Sequence, residues 1–265
     1  MKDSPQQDDS QNKQGTWRQA VVSFVLSALL VLAFRWIVFE PYVIPSGSMM
    51  PTLLELDYIY VNKFAYGLRV PFSNRWLFER SGPERCDVVV FRSQTEPGIF
   101  VIKRVIGLPG EKVDLYPDGR IRINGRPLAT SLKDEGDEFQ TLSEDCGNGT
   151  AHDIRVEISR QAIPLEADTD DSPEYSPEYS VVVPEGQYAM FGDNRHQSAD
   201  SRVWGTLPRQ DFLGEALGIW LSCEEGLPSL QRVCNPSTMR WHRIFNRLSR
   251  ASDAAAETVS DKSSR

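Results

Sequence analysis

Most of the chain after residue 40 consists of short runs of β-branched and aromatic residues, interrupted by glycine, proline, aspartate and asparagine. Runs of this length and composition favour strands rather than helices. Two interruptions, Pro117-Asp118-Gly119 and Asn124-Gly125, have the residue types of hairpin turns. We therefore predict a mainly β, antiparallel domain, with strands in the runs 58–61, 87–91, 99–106, 112–115, 120–123 and 181–191.

A long apolar segment precedes this β region. Residues 20–34 carry no charge, and a helix over residues 19–39 would be about 30 Å long, close to the hydrocarbon thickness of a bilayer. It is apolar on all sides, which argues against a helix packed in a soluble core. A cleaved signal peptide is the competing interpretation, because the uninterrupted apolar core has signal-peptide length. We predict an uncleaved transmembrane anchor over residues 17–39, after a disordered arm at 1–16.

The charge distribution limits the possible partners. The net charge is -8, whereas a nucleic-acid-binding protein would present a basic face, so we predict no nucleic-acid partner. Acidic side chains concentrate between residues 134 and 178. This concentration favours a solvated, loop-rich surface, with a binding patch for a basic partner as the alternative. The polar residues 247–265 are predicted to form a disordered tail.

The cysteine and histidine pattern argues against a metal site. None of the four cysteines has C-x-x-C spacing, and there are only three histidines. Cys223 and Cys234 flank a short stretch with glycine and proline, so they could form a disulfide in an oxidising compartment, and both states stay open. Cys86 precedes a strand-like run and is predicted to be a small buried residue.

Residues 43–53 (VIPSGSMMPTL) contain two serines on either side of a glycine, between two prolines. Pro45 and Pro51 restrict φ, and Gly47 allows another group to approach the backbone closely. This arrangement would hold the Ser48 hydroxyl in a stiff, partly dry corner. A plain linker of serine, glycine and proline has the same composition and is the alternative.

A serine hydroxyl needs a nearby base to act as a nucleophile at neutral pH. Lys103 follows the apolar run 100–102, and burial among apolar neighbours would lower the pKa of its amine towards neutrality. The alternative for Lys103 is an exposed position on an edge strand. His152 lies in the acidic stretch and His242 in a basic C-terminal run, so Lys103 is the better candidate base.

A third segment, residues 192–205 (GDNRHQSADSRVWG), completes the pattern. Together with residues 43–53 and 100–113 (FVIKRVIGLPGEKV), in this order after an apolar segment, it resembles bacterial signal peptidase I. That family (S26) comprises membrane-bound serine peptidases with a serine–lysine dyad. The resemblance implies an antiparallel β-sheet catalytic domain of the signal peptidase type, formed by residues 40–116 and 181–246, with an inserted β/loop subdomain at 117–180.

The resemblance also implies a role for each matching residue. Ser48 would be the nucleophile, and Lys103 the general base and general acid. The Ser48 backbone N–H and the Ser46 hydroxyl would stabilise the oxyanion, while Ser198 would hydrogen-bond the Lys103 amine and orient it.

Other matching residues would support the site or bind substrate. A charge-paired structural brace would comprise Arg104, Asp193, Asp200 and Arg202. Shallow apolar pockets for the small residues at positions -1 and -3 of a signal peptide would be lined by Ile44, Pro45, Met49, Leu53 and Ile102. A plain core role for Leu53 or Ile102 is the alternative.

The third segment departs from the family at one place. His196-Gln197 stands where the family commonly has Asp-Asn. We interpret His196 as part of a loop surface; if it reached Ser48 instead, the assignment of Lys103 as the base would be wrong.

The resemblance implies a membrane-anchored endopeptidase that removes signal peptides from exported preproteins. It would act at the outer face of the bacterial cytoplasmic membrane, near the export translocon, with the lipid bilayer as a partner and without a metal or organic cofactor. One alternative is a self-cleaving repressor-type Ser/Lys protease, although the sequence shows no DNA-binding helical domain. The other is a catalytically silent, anchored β-domain that acts as a binding or assembly partner.

Overall fold

The computed structural model describes residues 17–69, 76–147, 149–160 and 176–248. The predicted arm at 1–16 and all but the first two residues of the predicted tail at 247–265 lie outside the described residues. The chain divides into two compact units, Met1–Val38 and Phe39–Arg265.

The first unit contains the predicted helix, α1, over Trp17–Val38. Its described apolar side chains are largely exposed, with Phe24 at 75% and Leu30 at 72% of full exposure. In the part of the chain that the structure describes, no helix meets the length and apolarity that a membrane span requires.

The second unit is built of antiparallel strands, as predicted. In chain order the strands are β1 (Phe39–Val43), β2 (Asp57–Asn62), β3 (Gly67–Arg69), β4 (Trp76–Glu79), β5 (Val88–Arg92), β6 (Phe100–Gly107), β7 (Lys112–Leu115), β8 (Ile121–Ile123), β9 (Arg126–Pro127), β10 (Thr130–Glu135), β11 (Phe139–Asp145), β12 (Ala151–Glu157), β13 (Tyr179–Val182), β14 (Gln187–Phe191), β15 (Leu207–Pro208), β16 (Phe212–Ser222), β17 (Gly226–Leu227) and β18 (Leu230–Cys234). A short helix, α2 (Ser201–Trp204), and single 3-10 turns at Gly47–Met49, Ile158–Arg160, Arg209–Asp211, Pro236–Thr238 and Trp241–Arg243 connect them.

The largest sheet has seven strands in the order β1-β2-β16-β5-β6-β14-β15, and every neighbouring pair is antiparallel. Its strand β5 is buried on both faces, which explains the continuous apolar run Val88–Phe91. Val88 and Val90 pack in one core cluster, while Val89 and Phe91 pack in another. Strand β6 pairs with β5 along residues 100–104, so the two cores that hold β5 also fix the register of β6.

Strand β14 covers only part of the neighbouring strand β6. It pairs with β6 opposite Arg104, Val105 and Gly107. Among the described strands, none pairs with residues 100–103 on that side. The first half of β6 therefore has a free edge, with backbone groups available to an extended peptide.

A second sheet, in the order β13-β7-β8-β9, contains both predicted hairpin turns. Asn124 and Gly125 have φ values of 51° and 80°, as a two-residue turn with left-handed residues requires. Gly119 lies in the β7–β8 connection with a φ of 85°, a conformation that glycine adopts without strain. Local residue types were sufficient to predict both turns.

The middle of the chain is more regular than its sequence indicates. Strands β10, β11 and β12 form a separate three-stranded sheet where we expected loops and short strands. Strand β12 alternates buried and part-exposed residues, but one of its buried positions is His152. Strand β11 buries the carboxylate of Glu144 rather than an apolar side chain. These inward polar residues weaken the apolar alternation that indicates a strand.

Two disulfides close the fold. Cys223 bonds to Cys234, which is one of the two states that the sequence left open. Cys86 is buried, as predicted, but it is also bonded to Cys146, 60 residues away. The local sequence around Cys86 carries no signal for so distant a partner, because the pairing depends on how two separate strands pack.

Candidate active site

The turn Gly47–Met49 carries Ser48, and two buried residues that follow Ser48 anchor this turn. The side chains of Met49 and Leu53 have no exposed surface and pack in the main core cluster. The Met50 N–H donates to the Gly47 carbonyl at 3.1 Å, and the Leu53 N–H donates to the Met49 carbonyl at 2.9 Å. Because its neighbours are anchored and its own backbone is bonded, the half-buried Ser48 hydroxyl has a well-defined position.

Lys103 meets this hydroxyl. Its Nζ donates to Ser48 Oγ at 2.5 Å, across 55 positions of sequence. The side chain is only 3% exposed, so it is not the exposed edge lysine of the alternative interpretation. Burial lowers the pKa of the Lys103 amine to about 8, and it outweighs the carboxylates of Asp200 and Asp193, which act to raise it. A substantial fraction of this amine is therefore neutral near physiological pH.

Ser46 and Ser198 both lie close to Ser48. Ser46 Oγ is 3.5 Å from Ser48 Oγ. The Ser198 hydroxyl is buried and has no hydrogen-bond partner among the described residues, so the expected hydrogen bond to Lys103 is not formed in this structure. A Cβ at Gly192 would lie 2.2 Å from Ser198 Oγ and 2.5 Å from the Ser48 carbonyl oxygen. The absence of a side chain at Gly192 thus allows Ser198 and the turn at Gly47–Met49 to approach each other.

The four predicted brace residues form two ion pairs. Arg104 donates from Nε and Nη2 to Asp193 at 2.8 and 2.6 Å, and Arg202 donates in the same way to Asp200 at 2.8 Å for both bonds. Burial alone would raise the pKa of the Asp193 carboxyl, but the Arg104 guanidinium outweighs it and holds that pKa below its usual value. Thr52 donates a further hydrogen bond of 2.5 Å to Asp193. Arg104, the residue next to Lys103, is therefore fixed by a bidentate ion pair with Asp193.

Asp200 also connects this brace to the short helix and the glycine segment. Its carboxylate accepts from the backbone N–H of Arg202 at the start of α2 and from the Gly192 N–H at 3.1 Å. Asn194 connects the segment 192–205 to the turn at Gly47–Met49. Its backbone N–H donates to the Ser48 carbonyl at 3.2 Å, and its Nδ2 donates to the Gly47 carbonyl at 3.1 Å. Sequence reasoning did not single out Asn194, although it lies inside the third segment.

The predicted pocket residues separate into two groups. Ile44, Met49, Leu53 and Ile102 belong to one buried cluster, with exposures from 0 to 8%. Pro45 is exposed beside Ser46. The four buried residues therefore pack in the core, as the alternative interpretation of Leu53 and Ile102 expected, and their role in binding substrate stays a prediction.

His196 does not contact Ser48. Its Nδ1 accepts from the Glu157 N–H at 2.8 Å, and its Nε2 lies 2.8 Å from the Pro117 carbonyl, to which it donates. Burial lowers the pKa of the imidazole, in keeping with a neutral ring that donates on one side and accepts on the other. His196 is therefore not the simple surface residue that we expected, because it is half-buried and connects its own loop to Glu157 and Pro117. It is not an alternative base in this structure.

His152 is also buried, and sequence reasoning missed its surroundings. Its Nδ1 lies 3.6 and 3.5 Å from the sulfurs of Cys86 and Cys146, and its Nε2 faces the carboxylates of Glu144 and Asp193 at 3.4 and 3.8 Å. Burial holds the pKa of His152 well below its usual value. These two sulfurs and this ring nitrogen are close enough to hold a metal ion, but the sulfurs are bonded to each other, so the disulfide form does not offer thiolate ligands.

Comparison with known proteins gives a consistent result. The profile of the family described as "Signal peptidase, peptidase S26" matches residues 17–221. A protein named signal peptidase I from Pseudomonas fluorescens is 38% identical over 230 residues, which cover 80% of this chain and 76% of the relative. Signal peptidase I from Rickettsia typhi is 35% identical and covers 91% of this chain and 97% of its own. A crystal structure of a signal peptidase I from Enterococcus faecalis is 26% identical, covers 51% of this chain and 97% of its own, and has a TM-score of 0.30. The chain belongs to the S26 family of signal peptidases and is a serine peptidase.

Proposed function

We propose that this chain removes N-terminal signal peptides from exported preproteins with a dyad of Ser48 and Lys103. The observation that carries the proposal is the 2.5 Å contact between Lys103 Nζ and Ser48 Oγ, in a site where the lysine is almost fully buried. A buried amine with a pKa of about 8 can accept the serine proton near neutral pH, which an ordinary lysine does poorly.

The reaction follows from these two groups. The neutral Lys103 amine takes the proton of Ser48 as Oγ attacks the scissile carbonyl carbon. The tetrahedral intermediate collapses when the carbon–nitrogen bond breaks, and Lys103 returns the proton to the departing amine. Lys103 then takes a proton from water, the hydroxide attacks the Ser48 ester, and the signal peptide leaves with a free carboxylate while Oγ recovers its proton.

The oxyanion of the intermediate needs hydrogen-bond donors on the side of Ser48 away from the base. We assign this role to the Ser48 backbone N–H and the Ser46 hydroxyl. The 3.5 Å separation between the two serine Oγ atoms supports the assignment, because a donor at that distance can meet an oxygen that forms on the attacked carbon. Ser198, whose hydroxyl is buried without a partner beside Gly192, would orient the Lys103 amine after a rotation of the serine side chain.

We propose that the signal peptide binds along the free edge of β6. Residues 100–103 offer backbone groups there, and this edge ends at the base. The core cluster next to the nucleophile turn (Gly47–Met49) contains Ile44, Met49, Leu53 and Ile102, and Pro45 precedes this turn. Small residues at positions -1 and -3 would fit against such a surface, whereas a bulky side chain would displace well-packed atoms.

The location of the enzyme is part of the proposal. The helix α1 has no charged residue from 20 to 34 and exposes its described apolar side chains, which supports a role as a membrane anchor over residues 17–39. The catalytic β domain, residues 40–116 and 181–246 with the insert 117–180, would act at the outer face of the cytoplasmic membrane near the export translocon. Sodium carbonate extraction of the full chain, compared with a chain that begins at residue 39, tests the anchor: only the full chain should stay with the membrane pellet.

Cleavage of a preprotein with alanine at positions -1 and -3 tests the chemistry. The detergent-solubilised wild type should cut after the alanine at -1, and Ser48→Ala and Lys103→Met should both be inactive while they retain wild-type circular dichroism. Retained activity in Lys103→Met would refute Lys103 as the base. A wild type that cleaves none of several such preproteins would refute the proposed function.

A further inference from the structure

We propose that Arg155 selects substrates that carry an acidic side chain shortly after the scissile bond, at the start of the mature protein. This inference rests on the proposed function and adds a specificity-determining residue on the leaving-group side.

The backbone of Arg155 is attached to the active-site segment. Its N–H donates to the Asp193 carbonyl at 2.8 Å, and its carbonyl accepts from the Arg195 N–H at 3.0 Å. These bonds form a parallel bridge between Arg155 and Asn194, the residue that holds the Ser48 carbonyl. Asn194 therefore connects strand β12 to the nucleophile turn through backbone hydrogen bonds.

The side chain of Arg155 points towards the same turn. Its guanidinium carbon lies 3.7 Å from the ring centroid of Phe139, and its Nη1 lies 3.4 Å from the sulfur of Met50. The Met50 side chain in turn lies against Gly47, where a Cβ would be 3.0 Å from Met50 Cε. The aromatic ring and the thioether thus hold a cation one side chain away from the residue that precedes Ser48.

The charge of this guanidinium is not neutralised within the described part of the chain, where no carboxylate forms an ion pair with it. Asp153 and Glu157 are two positions away on either side of Arg155 in β12. Each has a different partner, Lys133 at 2.6 Å for Asp153 and Arg160 at 3.6 Å for Glu157. A half-buried arginine in contact with only a ring and a weak sulfur acceptor remains able to bind a carboxylate.

The course of the substrate places its leaving-group side near this cation. The signal-peptide side lies along residues 100–103 of β6, as proposed above. Beyond Lys103 that edge is occupied by β14. The residues that follow β14 include Gly192 and Asn194, and the Asn194 N–H donates a hydrogen bond to the Ser48 carbonyl in the nucleophile turn. The segment after the scissile bond must therefore leave the sheet edge and pass over the surface that Met50 and Arg155 form. The guanidinium lies one Met50 side chain away from Gly47, the residue before Ser48, and an extended chain advances about 3.3 Å per residue. We therefore expect the carboxylate on one of the first about three residues of the mature protein.

Matched peptide substrates test this inference with the full chain in detergent micelles at low salt. Three pairs share alanines at -1 and -3 and differ only by Asp or Asn at position +1, +2 or +3. At one position at least, the wild type should cleave the Asp peptide about fivefold faster in kcat/KM, the ratio that a part-exposed ion pair can produce. Arg155→Met should reduce this ratio to about one, and Arg155→Glu should invert it, while cleavage of the Asn peptides changes by no more than about twofold. Arg160→Met, in the same sheet region but exposed, is the control and should keep the wild-type preference.

The outcomes separate the two proposals. If the wild type cleaves all six peptides without an Asp preference, or if Arg155→Met keeps the preference, the role of Arg155 is refuted while the proposed function stands. If the wild type cleaves none of them, the proposed function fails and this inference fails with it. The wild-type comparison needs no variant, so it decides the question even if a substitution at Arg155 prevents folding.

Discussion

The burial of Lys103 predicts that removal of the candidate base stabilises the protein. A lysine whose pKa falls from 10.5 in the unfolded chain to about 8 in the fold binds its proton more weakly when folded. Since each tenfold change in proton affinity corresponds to about 1.4 kcal/mol, the buried ammonium destabilises the fold by about 3 kcal/mol at neutral pH. Lys103→Met removes this charge and keeps the bulk, but it loses the hydrogen bond to Ser48, which contributes about 1 kcal/mol. We expect Lys103→Met to be inactive and about 2 kcal/mol more stable than the wild type at pH 7.

The pH dependence gives the sign of the effect independently. The folded-state pKa lies below the unfolded-state value, so between pH 8 and 10.5 the unfolded chain binds more protons. Wild-type stability should therefore rise with pH through this window, and the advantage of Lys103→Met should largely disappear by pH 10. Urea unfolding of both proteins at pH 7, 8, 9 and 10 measures the difference.

Lys133→Met is the matched control, because the Lys133 side chain is 59% exposed and its ion pair with Asp153 lies at the surface, so the substitution should change stability by less than about 1 kcal/mol at each pH. A Lys103→Met protein that is less stable than the wild type at pH 7, or a stability difference that does not change with pH, would refute the argument that burial depresses the pKa of Lys103.

Three further predictions concern the same site. The kcat/KM of the wild type should rise with pH and reach half its maximum near pH 8, because only the neutral Lys103 amine accepts a proton; a profile that is flat between pH 6 and 9 would contradict this. Gly192→Ala should lower kcat about 100-fold, since its Cβ would lie 2.5 Å from the Ser48 carbonyl oxygen and displace the nucleophile, and unchanged kinetics would show that the turn can move without loss. Asp193→Asn should lower the free energy of unfolding by about 3 kcal/mol, measured in urea, because it leaves the buried Arg104 guanidinium without its counter-charge; a change below about 1 kcal/mol would indicate that water reaches Arg104.

Features with a local cause were predicted well. Most β-branched runs formed strands close to the expected bounds, although the run 181–191 is divided between β13 and β14, which lie in different sheets. The hairpin at Asn124-Gly125 has the left-handed residues that its turn requires. Both depend on neighbours within a few residues, so the sequence of one segment is sufficient.

Features that depend on distant partners were predicted incompletely. Strand β11 lacks the apolar alternation of a strand because Glu144 faces inwards, and this burial is tolerable only because Arg195, 51 residues away, pairs with it. The bond between Cys86 and Cys146 likewise joins two segments that no local pattern connects. The role of His196 as a link between Glu157 and Pro117 could not be read from its own segment either.

The sequence by itself determined which chemical groups are available: a serine in a turn between two prolines, a lysine in an apolar run, and a charged segment bounded by two glycines. Only the tertiary structure decided their geometry. The approach of Lys103 Nζ to within 2.5 Å of Ser48 Oγ requires β6 in its register beside β5 and the turn anchored by Met49 and Leu53. It also requires a glycine at 192, where a side chain would meet the Ser48 carbonyl. The same packing removes water from the amine and lowers its pKa. Reactivity depends on both distance and desolvation, and each arises only when segments far apart in the chain pack together.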